Sequence, residues 1–112
     1  MCLEAAEKLA KDHNINAEVL DLRSLNPLDE NAIINSVKKT GKVLVVHEDK
    51  VFAGFGGEIV SLIMEKAFEH LDAPVKRVGS TFTPVGFNRI LENAILPDTA
   101  KILEASLPLL KY

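Results

Sequence analysis

The sequence has no tryptophan, a single tyrosine, a single cysteine and 5 phenylalanines among 112 residues. So few aromatic rings leave little to stack on bases. With 13 basic against 16 acidic residues and a net charge of −3, no basic excess is available for a phosphate backbone, which argues against nucleic-acid binding. One Cys2 can make neither an internal disulfide nor a zinc site, so a reducing compartment is expected, the cytoplasm in a bacterium. Long apolar runs are also missing. Val43-Leu44-Val45-Val46 falls far short of the roughly 20 residues that a membrane helix needs, so no membrane partner is expected. The N-terminus shows no basic segment followed by an apolar stretch, and hence no signal peptide is expected. No repeat, low-complexity stretch or Gly/Ser/Pro linker divides the chain, and residues 1–112 read as a single domain.

What is present is an ordinary globular balance, 47% hydrophobic and 26% charged, in alternating periodicities. Leu3, Ala6, Leu9 and Ala10 recur at helical spacing from the first residue. Ala17 to Leu22 reads as a strand, and Asn26-Pro27 as a turn. Asp29 reads as the N-cap of a helix carrying Ala32, Ile33 and Val37, with Gly41 as its left-handed stop. Val43 to Val46, with three β-branched residues in four, predicts a strand buried on both faces. A Gly-rich turn leads to a helix over Glu58 to Leu71, whose rows Ile59/Ile63/Ala67 and Val60/Met64/Phe68 give a wide apolar face. Val75 to Val78 reads as a third strand. A short helical piece follows at Leu91 to Ile95, then a last helix from Pro97-Asp98-Thr99, ended or kinked by Pro108. The order is α/β, a three-layer α-β-α arrangement on a mainly parallel sheet. A crossover helix needs a strand on each side, and none precedes the helix at Met1. The first strand is therefore expected to be missing, and association or marginal melting is expected as the consequence.

The residues suited to chemistry cluster after the predicted buried strand. His47, Glu48 and Asp49 lie where open α/β sheets bind ligands, and Gly54, Phe55, Gly56 and Gly57 lead into a helix whose N-terminus can favour a phosphate. Yet Ile59 stands where the dinucleotide fingerprint needs its third glycine, and no Lys-Ser/Thr pair follows. Tight packing is the other reading of these glycines. Consecutive His47, Glu48 and Asp49 alternate in direction along an extended chain and converge poorly on one metal ion, so no metal site is assigned. Ser61 and Ser80 lack a nucleophile elbow, and Cys2 lies near a terminus. No catalytic residue is assigned. The acids Asp72 and Asp98 and the carboxylate of Tyr112 suit a docking patch, or merely capping and solubility.

Leu20-Asp21-Leu22-Arg23-Ser24-Leu25-Asn26-Pro27-Leu28-Asp29 resembles the hallmark of the transketolase C-terminal domain, as found in β subunits of 2-oxo acid dehydrogenases. Val45-Val46-His47-Glu48 followed by Gly54-Phe55-Gly56, then Leu71-Asp72-Ala73-Pro74-Val75 with Arg77-Val78, then Ile95-Leu96-Pro97, agree in order and spacing. The chain departs from the family pattern at Phe82-Thr83-Pro84-Val85-Gly86 and Ala53-Gly54-Phe55. The resemblance implies the last domain of a larger enzyme that decarboxylates a 2-oxo acid on thiamine diphosphate with Mg²⁺, groups held outside this stretch. It implies as partners the thiamine-binding domains or α subunit, a second β copy, and the subunit-binding domain of a lipoyl acyltransferase. Asp72 and Tyr112 are the implied docking contacts, while Lys76 and Arg77 stand where a second docking acid is expected. The His47-Glu48 pair, the Gly-Phe that follows and Tyr112 lean toward the branched-chain type over the pyruvate and acetoin types. A free-standing phosphate- or nucleotide-binding module using Gly54 to Gly57 is the alternative.

Overall fold

The computed structural model describes residues 1–112. Its first helix, α1 (Cys2–His13), stops on Asn14 in the left-handed conformation, φ 56°. Ala5 and Leu9 are its buried residues, whereas Leu3 is 68% exposed. The inward stripe therefore runs through Cys2, Ala5 and Leu9, not through Leu3, Ala6 and Ala10 as the spacing first suggests.

Local chemistry sets the other helix boundaries. Asp29 accepts a hydrogen bond from Ala32 N–H at 2.9 Å and opens α2 (Glu30–Thr40), which Gly41 closes at φ 67°. Strand β1 (Leu44–Lys50) and helix α3 (Gly56–Ala67) follow, then a 3₁₀ turn at Phe68–His70 and strand β2 (Lys76–Ser80). Asn88 caps α4 (Arg89–Ile95) and Asp98 caps α5 (Thr99–Ser106), accepting from Lys101 N–H at 2.8 Å. A 3₁₀ segment, Leu107–Lys111, begins where Pro108 removes an amide donor.

β1 and β2 pair in parallel, with Leu44 opposite Lys76, Val45 opposite Arg77 and Val46 opposite Val78. The register slips between Val46 and Lys50, which faces Ser80. On one side of the sheet Val43, Val45 and Val75 pack against Ile33, Val37, Ile59, Ile63 and Ala67 of α2 and α3. On the other, Leu44, Val46 and Val78 meet Ala5 of α1 and Ile102 of α5. The α-β-α layering is as the periodicity predicts.

The sheet is narrower than expected. Residues 17–22 form no strand: from Asn16 to Leu22 only the Leu22 carbonyl joins a backbone hydrogen bond, from Ser24 N–H at 2.5 Å. A strand persists by pairing, and nothing pairs with this stretch on either side. Its anchors are instead Leu22 and Leu28, which rest on the α2–α3 core, and an ion pair from Glu18 to Lys39. For the same reason Leu44 to His47 are half-buried rather than enclosed, since β1 has a hydrogen-bonded neighbour along one edge alone. The wide face expected of α3 also shrinks: Ile59, Ile63 and Ala67 are buried, while Met64 and Phe68 are exposed.

Candidate functional site

His47 follows Val45 by two residues on β1, so its side chain points to the α3 side of the sheet. There its imidazole fills the space left by three glycines. A Cβ on Gly56 would lie 2.4 Å from His47 Nε2. One on Gly54 would lie 2.8 Å from Cε1 and 2.0 Å from the Lys50 carbonyl oxygen. One on Gly79 would lie 3.1 Å from Cε1 and 2.6 Å from the Asp49 carbonyl oxygen. The imidazole thus excludes a side chain at Gly56, while the Lys50 and Asp49 carbonyls, with the imidazole beside them, exclude one at Gly54 and Gly79. Both imidazole nitrogens are buried without a hydrogen-bond partner, the only side-chain atoms of the chain in that state. Each orphaned donor or acceptor costs about 1–3 kcal/mol.

The turn above His47 is closed by its own amides. Gly57 N–H donates to the Gly54 carbonyl at 3.0 Å, Glu58 N–H to the Phe55 carbonyl at 2.9 Å, and Ile59 N–H to the same carbonyl at 3.3 Å. Arg77 of β2 donates from Nη1 to the Val51 carbonyl at 3.1 Å and lies against Gly57. A phosphate cradle needs first-turn amides free. Here those of Gly57 and Glu58 are spent, so the reading of Gly54 to Gly57 as a phosphate site gives way to close packing.

The register slip has a second effect. Glu48, Asp49 and Lys50, which simple alternation would send to opposite faces, together line one open cavity of about 180 Å³ with Ser80, Thr83, Glu92 and the apolar Val85, Ile95 and Leu96. No three His, Cys, Asp or Glu residues converge closely enough to hold a metal ion.

Asp72 and Tyr112 lie toward the opposite end, where the strands begin. Asp72 N–H donates to the Gly41 carbonyl at 2.7 Å, just ahead of β1, and its carboxylate folds over Gly41, where a Cβ would meet Oδ2 at 2.2 Å. Pro108 lines a cavity with Lys76 and Arg77 at the start of β2, so the last 3₁₀ segment delivers Tyr112 to this end. Both Asp72 and Tyr112 are exposed. The two groups of candidate residues are therefore separate: a strand-end cluster around His47, and Asp72 with Tyr112 at the end where Lys76 and Arg77 also lie.

Sequence reading missed Gly79, Arg77 as a staple, and the edge-to-face pair Phe52–Phe82, with ring centroids 5.1 Å apart and Lys50 Nζ 5.7 Å above Phe82. The aromatic pair follows from the register, which only pairing defines. Lys50 faces Ser80 in the ladder, so the residues two further on, Phe52 and Phe82, arrive side by side.

Residues 1–102 match the family described as "Transketolase, C-terminal domain". The chain is 45% identical over 105 residues to "Pyruvate dehydrogenase E1 component subunit beta, mitochondrial" of Dictyostelium discoideum, covering 94% of this chain and 29% of that protein. It is 44% identical over 108 residues to "Acetoin:2,6-dichlorophenolindophenol oxidoreductase subunit beta" of Bacillus subtilis (96% and 31%). Identity to "2-oxoisovalerate dehydrogenase subunit beta" of Pseudomonas aeruginosa is 42% over 97 residues (87% and 27%). Among solved structures it superposes on "Split gene transketolase, inactive beta4 tetramer" with a TM-score of 0.78 at 28% identity, covering 97% of this chain and 34% of that one. The chain thus spans about a third of the length of the proteins it matches.

Proposed function

The chain belongs to the transketolase C-terminal domain family, and from that premise we propose that its 112 residues form one such domain, the C-terminal part of the β subunit of a thiamine-diphosphate-dependent 2-oxo acid dehydrogenase. The domain's work is assembly. One observation carries this reading: the chain exposes 7706 Å², whereas a self-sufficient monomer of 12.3 kDa exposes about 6,100 Å². The excess of about 1,600 Å² is about twice the roughly 800 Å² that one partner contributes to a standard protein–protein interface, room for two such contacts. Phe52, Phe82, Val85, Phe87, Ile90 and Leu91 contribute to it as exposed apolar residues at the carboxyl end of the sheet. Its partners there are the thiamine-binding domains or α subunit and a second β copy. Thiamine diphosphate and Mg²⁺ sit on those neighbours, and the decarboxylation with them. The free thiol of Cys2 suits a reducing compartment.

The other end docks the subunit-binding domain of a lipoyl acyltransferase through Asp72 and Tyr112. Gly41 supports this by fixing the loop that presents Asp72. Identities of 45% to a pyruvate-type and 42% to a 2-oxoisovalerate-type relative do not separate these substrates. The branched-chain preference rests on the His47-Glu48 pair, the Gly54-Phe55 that follows and Tyr112 alone.

A binding assay between this chain and a basic acyltransferase subunit-binding domain tests the reading. Salt-sensitive association is expected, weakened by about 1 kcal/mol in Asp72→Asn and by a similar amount on deletion of Tyr112. Affinity unchanged in both variants overturns the docking role. Turnover of any 2-oxo acid by the 112 residues, supplied with thiamine diphosphate and Mg²⁺, overturns the assembly role.

A further inference from the structure

Glu48, Asp49 and Glu92 ring the cavity at the carboxyl ends of β1 and β2, and none of them belongs to an ion pair. The one cation in the lining, Lys50, holds its ammonium 5.7 Å from the centre of the Phe82 ring. Beneath these acids lies Ser80, 7% exposed. The other buried serine, Ser106, donates its hydroxyl to the Ile102 carbonyl at 2.7 Å, whereas the Ser80 hydroxyl has no partner within the chain. Ser80 is also absent from the enclosed, unsatisfied groups, which are the two His47 nitrogens alone, so its free hydroxyl opens into the cavity. A buried residue with an idle hydroxyl and three carboxylates outside any ion pair, of which Asp49 accepts the Lys50 backbone N–H at 2.7 Å, share one space of about 180 Å³, walled on one side by Val85, Ile95 and Leu96.

The spacing of the acids decides what fits. They do not converge as metal ligands do, so a bare divalent ion gains no coordination shell. An organic cation is larger than a metal ion and carries a stem that covers apolar surface. We propose that this cavity binds a primary alkylammonium group. The charged head is held among Glu48, Asp49, Glu92 and the hydroxyls of Ser80 and Thr83, and the methylene stem lies along Val85, Ile95 and Leu96. The group comes either from a free aliphatic amine or from a lysine side chain of a partner protein. The site is independent of the docking role assigned to Asp72 and Tyr112, which lie at the other end of the sheet.

The test is an amide-resolved NMR titration of the 112-residue chain with butylammonium chloride, against butanol and sodium chloride as controls. Saturable shifts confined to Glu48–Lys50, Ser80–Val85 and Glu92–Leu96 are expected from butylammonium and from neither control. Glu48→Gln and Glu92→Gln change exposed side chains and leave the fold intact, and each weakens binding about twofold to fivefold. A lysine amide acetylated on its α-nitrogen distinguishes the sources: tighter binding than butylammonium assigns the site to a partner's lysine, equal or weaker binding to a free amine. Shifts that never saturate, that butanol or sodium chloride reproduces, or that persist unchanged in the double variant overturn the proposal.

Discussion

At the scale of single residues, the chain's most consequential contact is between His47 and the three glycines around it. Gly56→Ala would place a methyl group 2.4 Å from Nε2, so the imidazole or the start of α3 must move. A loss of about 2 kcal/mol is expected, within the range for overpacking, and urea unfolding measures it. His47→Leu acts in the opposite sense. It removes two polar atoms that have no partners and keeps an apolar body in the cage, so stability is expected to hold or rise by the same measurement. A large loss would mean that the nitrogens find partners in solution. The caps Asp29, Asn88 and Asp98 and the stop at Gly41 depend on neighbours within four residues; those at Asp29, Asp98 and Gly41 were therefore legible in the sequence. The histidine cage was not, because it joins β1, the turn at Gly54 and β2 through a register that only pairing defines.

At the scale of elements, two carboxylates tie distant segments together. Thr99 Oγ1 donates to Glu4 Oε2 at 2.7 Å and links α5 to α1; Lys39 reaches Glu18 and links α2 to the irregular stretch before it. The Thr99 hydrogen bond, followed by the N-terminal ammonium, holds Glu4 below the usual carboxylate range. Hydrogen bonds from Lys39 and then Ser36 do the same for Glu18. A folded value below the unfolded one means that each carboxylate stabilises the fold above the unfolded value. That contribution disappears as pH falls through the folded value. Thermal melts are therefore expected to shift down on acidification across the carboxylate range, by less in Glu18→Gln than in the parent chain. Equal shifts would show that the tether does not couple to folding. Residues 17–22 were expected as a strand because a short segment holding Val19, Leu20 and Leu22 is fit for one. Pairing decides whether it becomes one, and hydrogen exchange should find these amides unprotected while those at Val45 and Val78 exchange slowly.

For the molecule as a whole, the layer order was legible because the two faces of β1 carry different partners, Val43 and Val45 toward α2 and α3, Leu44 and Val46 toward α1 and α5. Sheet width was not, since it depends on which segments meet in space. A Cα radius of gyration of 14.3 Å exceeds the roughly 13 Å usual for this length, in keeping with the surplus surface. Sedimentation equilibrium on the purified chain is expected to show association that strengthens with concentration, and melting is expected to depend on concentration in the same way. A monomer with a sharp, concentration-independent transition would remove the case for an unfilled interface.

The two edges of the sheet differ in one respect that bears on how such association ends. β2 opens with Lys76 and Arg77, whereas β1 opens with Leu44, Val45 and Val46 and carries Glu48, Asp49 and Lys50 only at its carboxyl end. Cationic side chains repel an incoming copy, so growth by strand addition is open on one flank and blocked on the other. Two molecules joined through the apolar openings of their β1 strands form a twofold pair whose outer margins both repel a third. The geometry therefore favours a closed couple over an endless ribbon.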